Sequence, residues 1–404
     1  MIAVVCRLCG STKLETVIDL GFHPIADTFL LAEHLNQPEL TYPLRAALCA
    51  ECGYVGLEYL VPAETRYQGI DYSYTSANSA VSIRHFAEVA QEVCEFADVT
   101  SDDLVIDAGS NDGTLLKAFH EKSGCSILGI DPAPNIAELA IADGVPTIVD
   151  FFCAAIVPEV LKLKKPKVIF SANALNHASD PRGFLEPLKS LMNQDSIFVF
   201  EVPYLLNFVE KTAFDTMYLE HVSYYGVKPL KKLLESFGLT IVRIEWTDYM
   251  LGSIRVYAGN GAEDSRVSEM ISVEEVAGLY SAQAYSEFMQ RVHHVRLSLC
   301  KKLYDAKAQG KRIAAIGAAT KGNTLLNFCK LDSAVIDFIT DVSPLKLGKF
   351  TPGSHIFIKS DDALDDKIDV ALILPRNLAG ALNKKLQHLE CIFVVSHEGI
   401  DSSL

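Results

Sequence analysis

The stretch YLEHVSYYG, Tyr218 to Gly226, sets Glu220 and His221 side by side with Tyr218, Tyr224 and Tyr225 around them. An imidazole exchanges protons near neutrality, with an unperturbed pKa of about 6.5, whereas a phenol, near about 10, serves more easily as a hydrogen-bond donor. Together these groups make an acid–base set. The same rings also have the apolar bulk of a packing segment around a satisfied histidine, so the rest of the sequence must decide between the two.

A second constellation is a doubled knuckle. CRLCG carries Cys6 and Cys9, and CAECG carries Cys49 and Cys52. Two C-x-x-C-G pairs are the pattern of a structural zinc site with four thiolate ligands. The glycine after each pair lets the chain turn so that backbone amides face the thiolates. Four thiolates leave no open coordination position, which argues against a catalytic zinc. The long segment between the pairs is expected to carry short strands of its own. Cys94, Cys125, Cys153, Cys300, Cys329 and Cys391 are scattered in apolar contexts and read as core residues.

The segment DDLVIDAGSNDGTLLKAF reads as an apolar strand over Leu104 to Asp107, a turn of small residues, and a helix. Gly109 and Gly113 let the backbone approach a ligand at the helix start. A second strand, in CSILGIDPAP, ends in Asp131, placed to accept hydrogen bonds from both hydroxyls of a ribose. Two cofactor classes fit this order. A dinucleotide prefers G-x-G-x-x-G around its pyrophosphate, but here the turn is D-A-G-S-N-D-G, and the carboxylates of Asp107 and Asp112 would repel a pyrophosphate. They suit a cofactor with a cationic sulfonium and an amino group, which is S-adenosylmethionine. A third strand, in VPTIVDFF, ends at Asp150 ahead of Phe151 and Phe152, an acid and rings suited to an adenine. PKVIFSANALNHASDP gives a fourth strand, Val168 to Phe170, opening into Asn173 and His177, and SIFVFEVPYL a fifth, ending at Glu201. Ligand groups in an open α/β sheet gather at such carboxyl ends, where Asn111 and Asn173 join the cofactor set. On spacing alone His177 reads equally well as a helix-cap or surface histidine.

Downstream, a run without proline from Ser272 to Lys311 has apolar residues at helical spacing and reads as one or two long helices joining domains. RIAAIGAATKGNTLLNF then repeats the strand, glycine turn and helix theme, with Gly317 and Gly322 flanking Lys321 and Asn323 following. Its spacing is not that of a Walker motif. IDFITDVSPLKLGKFTPG gives a strand ending at Asp341, then Lys346 and Lys349, and IDVALILPRN another that runs to Pro375 and Asn377. Small residues and lysines at strand ends suit a diphosphate or its sugar, although a purely structural domain has the same outline.

Composition bounds these readings. The 404 residues call for two or three domains, and 49% hydrophobic with 22% charged residues is the balance of a soluble globular chain. A formal net charge of −15 argues against a grip on nucleic acid through its phosphates. The sequence shows neither an apolar run long enough to cross a membrane nor the charged start of a signal peptide, so a cytoplasmic protein without membrane partners is expected.

The motifs resemble those of the S-adenosylmethionine-dependent C-methyltransferases of deoxysugar biosynthesis, which act on nucleotide-linked 4-keto sugars. The resemblance runs along essentially the whole chain, through both cysteine knuckles, DYSYTSANS, IDAGSNDGTLL, NALNHASDP, FEVPYL, YLEHVSYYG, GSIRVYAG, IGAATKGNTLLN, FTPGSHIFI and ALILPRN. The E-H-x-x-Y block and A-x-K-G-N-T are not general methyltransferase features. One departure is Asp107 at the head of the turn, where the family commonly has glutamate.

What the resemblance implies is an α/β protein of three parts. A small four-cysteine zinc domain spans 1–70, a Rossmann-like class I methyltransferase domain 71–270, and a Rossmann-like sugar-nucleotide domain with leading helices 271–404. The implied reaction is methyl transfer to carbon 3 of a nucleotide-linked 4-keto-6-deoxyhexose through an enolate. His221 or Tyr72 is the expected base, with Tyr74 the competitor of Tyr72 for the inward position. Tyr218, Glu220 and His177 are expected to orient the sugar or balance charge. Tyr74, Tyr224, Arg255, Lys321, Asn323, Asp341, Lys346 and Asn377 are the expected substrate contacts, and a monomer is compatible with the sequence. Two other readings stand beside this one: oxygen or nitrogen methylation of another small metabolite, and a non-catalytic zinc-containing binding protein.

Overall fold

The computed structural model describes residues 5–69, 72–364, 368–389 and 391–396. The chain forms two compact units. The first comprises Met1–Thr16, Ala47–Asn207 and Val222–Ala282, and the second Val17–Ala46, Phe208–His221 and Gln283–Leu404.

Between the cysteine knuckles run β1 (Leu14–His23) and β2 (Tyr42–Cys49), strands of 10 and 8 residues, longer than the short strands expected there. They are followed by β3 (Val55–Leu57). The large sheet of the first unit then begins with β4 (Leu104–Ala108), β5 (Ser126–Ile130), β6 (Thr147–Ile148), β7 (Val168–Ala172) and β8 (Ile197–Pro203). After the short β9 (Ser223–Tyr224), which pairs antiparallel with β3, it is completed by β10 (Thr240–Thr247) and β11 (Ser253–Gly259). The strand order is β10-β11-β8-β7-β4-β5-β6. The pairs among β4 to β8 are parallel, and β11 joins β8 antiparallel. Strands β4, β7 and β8 are buried on both faces, which is why they read as continuous hydrophobic stretches rather than alternating ones. Their core includes Val105, Val168, Phe170 and Val199, packed with Phe86, Val89 and Val93 of helix Ala80–Ala97 and with Leu116 and Phe119 of helix Thr114–Ser123. Strand β6 ends at Ile148, short of the expected Asp150, and β8 runs past Glu201 to Pro203.

The second unit holds β12 (Ile313–Ile316), β13 (Phe338–Thr340), β14 (Ile358–Lys359), β15 (Val370–Ile373) and β16 (Ile392–Val395), in the order β14-β13-β12-β15-β16 with every pair parallel. The helical run predicted from the sequence is two helices. Arg266–Val276 belongs to the first unit, and Ala282–Ala308 opens the second, burying Tyr285, Phe288, Val292, Val295, Leu299 and Leu303 at helical spacing. Phe208–His221 joins the second unit rather than the sheet that precedes it in sequence. Thr324 Oγ1 donates to the Met217 carbonyl at 2.9 Å, and the Phe214 ring packs edge-on against Phe328.

Of the six scattered cysteines, Cys94, Cys125 and Cys329 are core residues, whereas Cys153, Cys300 and Cys391 are only partly buried. Among the described residues no helix is long and apolar enough to cross a membrane.

Arg255, on β11, donates from Nε to Glu201 on β8 at 2.7 Å and from Nη1 to Glu92. His85 Nε2 shares the other Glu201 oxygen at 2.7 Å, and its ring stacks on Tyr249 at 3.8 Å. Burial raises the Glu201 carboxyl, but the bonds and charges of His85 and Arg255 outweigh it and hold the group below its ordinary value. With Glu201 fully buried, Arg255→Met strands a carboxylate, and unfolding in urea should show a loss of roughly 3–5 kcal/mol. A variant as stable as the wild type would show that the pair does not hold this end of the sheet together.

Candidate active site and metal centre

The two cysteine knuckles close on themselves through amide bonds from Gly10 to the Cys6 carbonyl at 2.8 Å and from Gly53 to the Cys49 carbonyl at 2.9 Å. They bring the four sulfurs within 4.8 Å of one another, with Cys6 to Cys52 at 3.5 Å and Cys9 to Cys49 at 3.6 Å. Tetrahedral zinc with Zn–S bonds of about 2.3 Å sets its sulfurs about 3.8 Å apart, so these residues fit the ion.

At the carboxyl end of β4 the chain turns through Gly109, whose φ is 87°. A Cβ there would sit 2.5 Å from the Ala174 Cβ, so the turn excludes any larger residue. The turn delivers the Asn111 amide to Asp131 Oδ2 at 2.8 Å, while the Ala133 amide bonds Oδ1 at 2.9 Å. Asp131 is thereby fixed at the end of β5. Burial raises its carboxyl to about 6, against the pull of those two amides. Asp107 lies deeper: burial, then the Asp131 charge, pushes it up to about 8, and its Oδ1 has no hydrogen-bond partner. Ser110 Oγ and Asn173 Oδ1 are likewise buried without a partner. Two carboxyl groups lacking countercharge, amid orphaned polar atoms, are what a cationic ligand rich in hydrogen-bonding groups would satisfy, so the cradle fits S-adenosylmethionine. Asp112 is engaged otherwise. Oδ1 takes the Thr114 amide and hydroxyl at 3.2 and 2.6 Å, capping the next helix, and Oδ2 takes the Ala77 amide at 2.8 Å. Asp150 Oδ1 accepts the amide of the half-buried Phe151 at 2.7 Å.

The segment from Tyr72 to Ala77 is tied to this turn. Asn111 Oδ1 accepts the Ser76 amide at 3.0 Å, and its Nδ2 donates to the Tyr74 carbonyl at 3.0 Å. Asn135 Nδ2 donates to the Tyr72 carbonyl at 2.9 Å. The two tyrosines part company here. Tyr74 lies with Ser76, Ser82 and Tyr249, and its phenol is raised by burial. The Tyr72 ring packs 5.5 Å from Tyr67, which also meets Phe151 edge-on at 6.4 Å. The Tyr67 hydroxyl lies 2.6 Å from His177 Nδ1. Sequence reading missed Tyr67 and its neighbour, the fully buried Arg66, which bonds the Val61 and His177 carbonyls and Ser179 Oγ. Their one signal was an arginine–tyrosine pair three residues before DYSYTS.

In the second unit Tyr218 to His221 form a tight turn, not a helix, closed by the His221 amide on the Tyr218 carbonyl at 2.9 Å. His221 Nδ1 donates to the Thr216 carbonyl at 2.9 Å, so Nε2 is the acceptor of the Tyr218 hydroxyl at 2.6 Å. Glu220 is buried and its Oε1 accepts the Asp27 amide at 2.9 Å, while Asp27 Oδ1 accepts Thr320 Oγ1 at 2.8 Å. Burial, helped by the Lys321 charge, drops His221 to about 3. Burial also lowers Lys321 to about 8; Asp215 opposes the shift and Arg376 adds to it. Lys321 donates to Asn377 Oδ1, so the segments following the adjacent strands β12 and β15 meet there.

The remaining expected substrate contacts have partners inside the protein. Lys346 Nζ bonds the Ala318 carbonyl at 2.9 Å, Asn323 Nδ2 the Ala26 carbonyl at 2.7 Å, and Asp341 Oδ1 the Ser343 amide at 2.8 Å. Tyr224 is a buried residue of β9, and Arg255 sits in its ion pair.

These features define a zinc-carrying methyltransferase of the α/β class. Family models match in three blocks: a putative zinc binding domain over residues 6–67, a methyltransferase domain over 83–244, and a C-methyltransferase C-terminal domain over 250–394. C-methyltransferase NovU of Streptomyces niveus is 32% identical over 380 residues, covering 93% of this chain and 90% of that protein. Among solved structures, magnesium protoporphyrin IX methyltransferase (ChlM) from Synechocystis PCC 6803 with bound SAM is 14% identical, covering 45% of this chain and 82% of that one at a TM-score of 0.34. An S-adenosylmethionine-dependent methyltransferase from Clostridium acetobutylicum ATCC 824 is 12% identical, covering 45% and 92% at 0.36. The chain belongs to the family of S-adenosylmethionine-dependent C-methyltransferases, and the four-cysteine cluster is its zinc site.

Metal analysis of the purified protein should find one zinc per chain, and Cys49→Ser should lose it together with thermal stability; a metal-free, fully stable protein would refute the site. His221 links folding to pH. The unfolded imidazole takes a proton below about 6.5, while the folded one stays neutral down to about 3. Stability is therefore full above about 6.5 and falls as the pH drops towards 3. Urea midpoints at pH 7.5 and 5 should differ more for the wild type than for His221→Asn, with His23, lowered to about 4 by burial, supplying a residual slope in both. Equal differences would mean that His221 is not buried neutral.

Proposed function

We propose that the protein transfers a methyl group to carbon 3 of a nucleotide-linked 4-keto-6-deoxyhexose. The observation that carries this reading is the bonding of His221. With Nδ1–H committed to the Thr216 carbonyl, the basic lone pair is on Nε2, against the Tyr218 phenol. A ketone acidifies the adjacent C–H because the charge left behind moves to its oxygen. The Tyr218–His221 pair takes the carbon 3 proton, with Tyr72 the alternative base. The electron pair of the broken C–H bond then forms the enolate. Bound S-adenosylmethionine supplies an electrophilic sulfonium methyl group. The enolate carbon would take that methyl group, with the electron pair of the C–S bond leaving on S-adenosylhomocysteine.

Asp107 and Asp131, with the Gly109 turn, Asn111, Asn173 and Phe151, are the residues proposed to hold the cofactor. Burial without countercharge favours this assignment. Tyr72 and His177 are the groups of the first unit proposed for the sugar. Lys321, with Asn377, is the proposed contact of the diphosphate, whose charge would restore the proton that burial makes Lys321 hold weakly. Arg255, Asn323, Lys346, Asp341 and Tyr224 are better supported as residues that hold these elements in place.

The test is mass spectrometry of the products formed from S-adenosylmethionine and the dTDP, GDP and CDP forms of 4-keto-6-deoxy sugars, run in heavy water. The expected result is one sugar bearing a methyl group on carbon and an equal amount of S-adenosylhomocysteine, with His221→Asn slower by roughly 10²- to 10⁴-fold. Methylation at oxygen or nitrogen of another metabolite, or neither product nor deuterium exchange with any sugar, would overturn the reading.

A further inference from the structure

Cys300, read from the sequence as a core residue, is partly exposed, whereas Cys329 is buried. The two lie 29 positions apart, Cys300 on helix Ala282–Ala308 and Cys329 as the last residue of helix Thr320–Cys329. The Cys300 thiol donates to the Cys329 carbonyl at 3.4 Å, and the two thiols share a hydrogen bond. The helices are held together one turn earlier. Arg296, on the same face as Cys300, sets its guanidinium carbon 5.0 Å from the Phe328 ring centroid, and the His293 ring packs against Phe328 at 5.9 Å. All five residues belong to the second unit. The bond between the thiols lowers Cys300 to about 7 against the effect of burial, and the Arg296 charge adds to it. The same bond, and then burial, raise Cys329. An ordinary thiol, at about 8.5, is roughly 3% ionised at pH 7, whereas Cys300 is about half ionised.

We propose that Cys300 and Cys329 are a peroxide-responsive pair, closed by a hydroperoxide into a disulfide that fastens helix Ala282–Ala308 to the end of helix Thr320–Cys329. The Cys300 thiolate, the more accessible sulfur, attacks the peroxide. An S–O bond forms, the O–O bond breaks, and the departing oxygen takes a proton and leaves as water or an alcohol. The Cys329 sulfur then attacks the sulfur of the Cys300 sulfenic acid. The S–S bond forms as the S–O bond breaks, and the hydroxyl leaves as water with the Cys329 proton. The two thiols together lose two electrons, which the peroxide takes up, and a thiol reductant reverses the change. Neither step involves the methyl donor or the sugar. Cys153 and Cys391 are also only partly buried, so exposure alone does not single out Cys300. A second sulfur within reach and a cation one turn away do. The closed loop removes conformations from the unfolded chain, so the oxidised form is the more stable one.

The test treats the whole protein, with its zinc bound, with hydrogen peroxide at pH 7, alkylates the remaining thiols and maps the peptides by mass spectrometry. A linked Cys300–Cys329 peptide is expected, absent again after dithiothreitol, with Cys300 consumed about 10-fold faster than Cys153 or Cys391. Cys329→Ala should leave a sulfenic acid on Cys300 that dimedone traps. Cys300→Ser, at the more exposed position, should give no link and leave Cys329 as a thiol, because the sulfur that attacks the peroxide is gone. The oxidised wild type should melt about 5 °C or more above the reduced form, a gain that Cys300→Ser does not show. Thiols at both positions as open to alkylation as before treatment would overturn the proposal, as would oxidation that begins at Cys153 or Cys391. A linked protein that melts no higher than the reduced one would show that the bond fastens nothing.

Discussion

A carboxyl group buried without countercharge is the constraint around which the first unit is arranged. Asp107 lies at the carboxyl end of β4, an interior strand of its sheet, and burial together with Asp131 keeps it from ionising readily. A fold that sought only stability would place an apolar residue there, because an unsatisfied polar atom in the interior costs about 1–3 kcal/mol. The rest of the region is arranged around that group. Gly109 is excluded from carrying a side chain by Ala174, Asp131 is pinned by two amides so that its oxygens face one way, and Asn111 is shared between the turn and the segment above it.

The second unit solves a related problem with the opposite sign. Its buried basic groups, His221 and Lys321, are both lowered by desolvation and by neighbouring positive charge. His221 needs no countercharge because neutral imidazole is satisfied by one carbonyl and one hydroxyl. Glu220 beside it is satisfied in part by the amide of Asp27, so the acid and the base of the EH pair are held by different strands of chain. Adjacent in sequence, they do not form an ion pair of their own.

What could be read from the sequence was what is local. The cysteine knuckles, the glycine turn and the acid after the second strand are set by spacings of a few residues, and backbone geometry enforces them wherever they occur. Parallel strands declared themselves as unbroken apolar runs because both their faces are covered. Long-range pairing was invisible. Tyr67 and His177 are separated by 110 positions, and Arg66 finds Ser179 across 113. A helix of five residues gives too little periodicity to announce that its last two side chains are buried. The membership of Phe208–His221 in the second unit was hidden for the same reason: it rests on bonds such as that between Thr324 and Met217, 107 positions apart. Arg255 was expected as a substrate contact through the resemblance, and its partner could not be read from the sequence. That partner, Glu201, ends another apolar run and becomes its neighbour only when β8 and β11 pair antiparallel.

A phenol next to an imidazole recurs in the two units, and the difference between the copies is chemical rather than geometric. Both pairs span 2.6 Å. At His221 the hydroxyl meets Nε2, because a carbonyl has already claimed the hydrogen on Nδ1. At His177 the hydroxyl meets Nδ1. The Thr216 carbonyl therefore fixes the His221 tautomer and holds the basic nitrogen of a buried, neutral ring towards a phenol. Methylation of an alcohol or an amine needs little proton work, since a lone pair is already present on the nucleophile, whereas a carbon acid must first lose a proton. An imidazole kept neutral with its acceptor nitrogen fixed is better accounted for by a carbon acid.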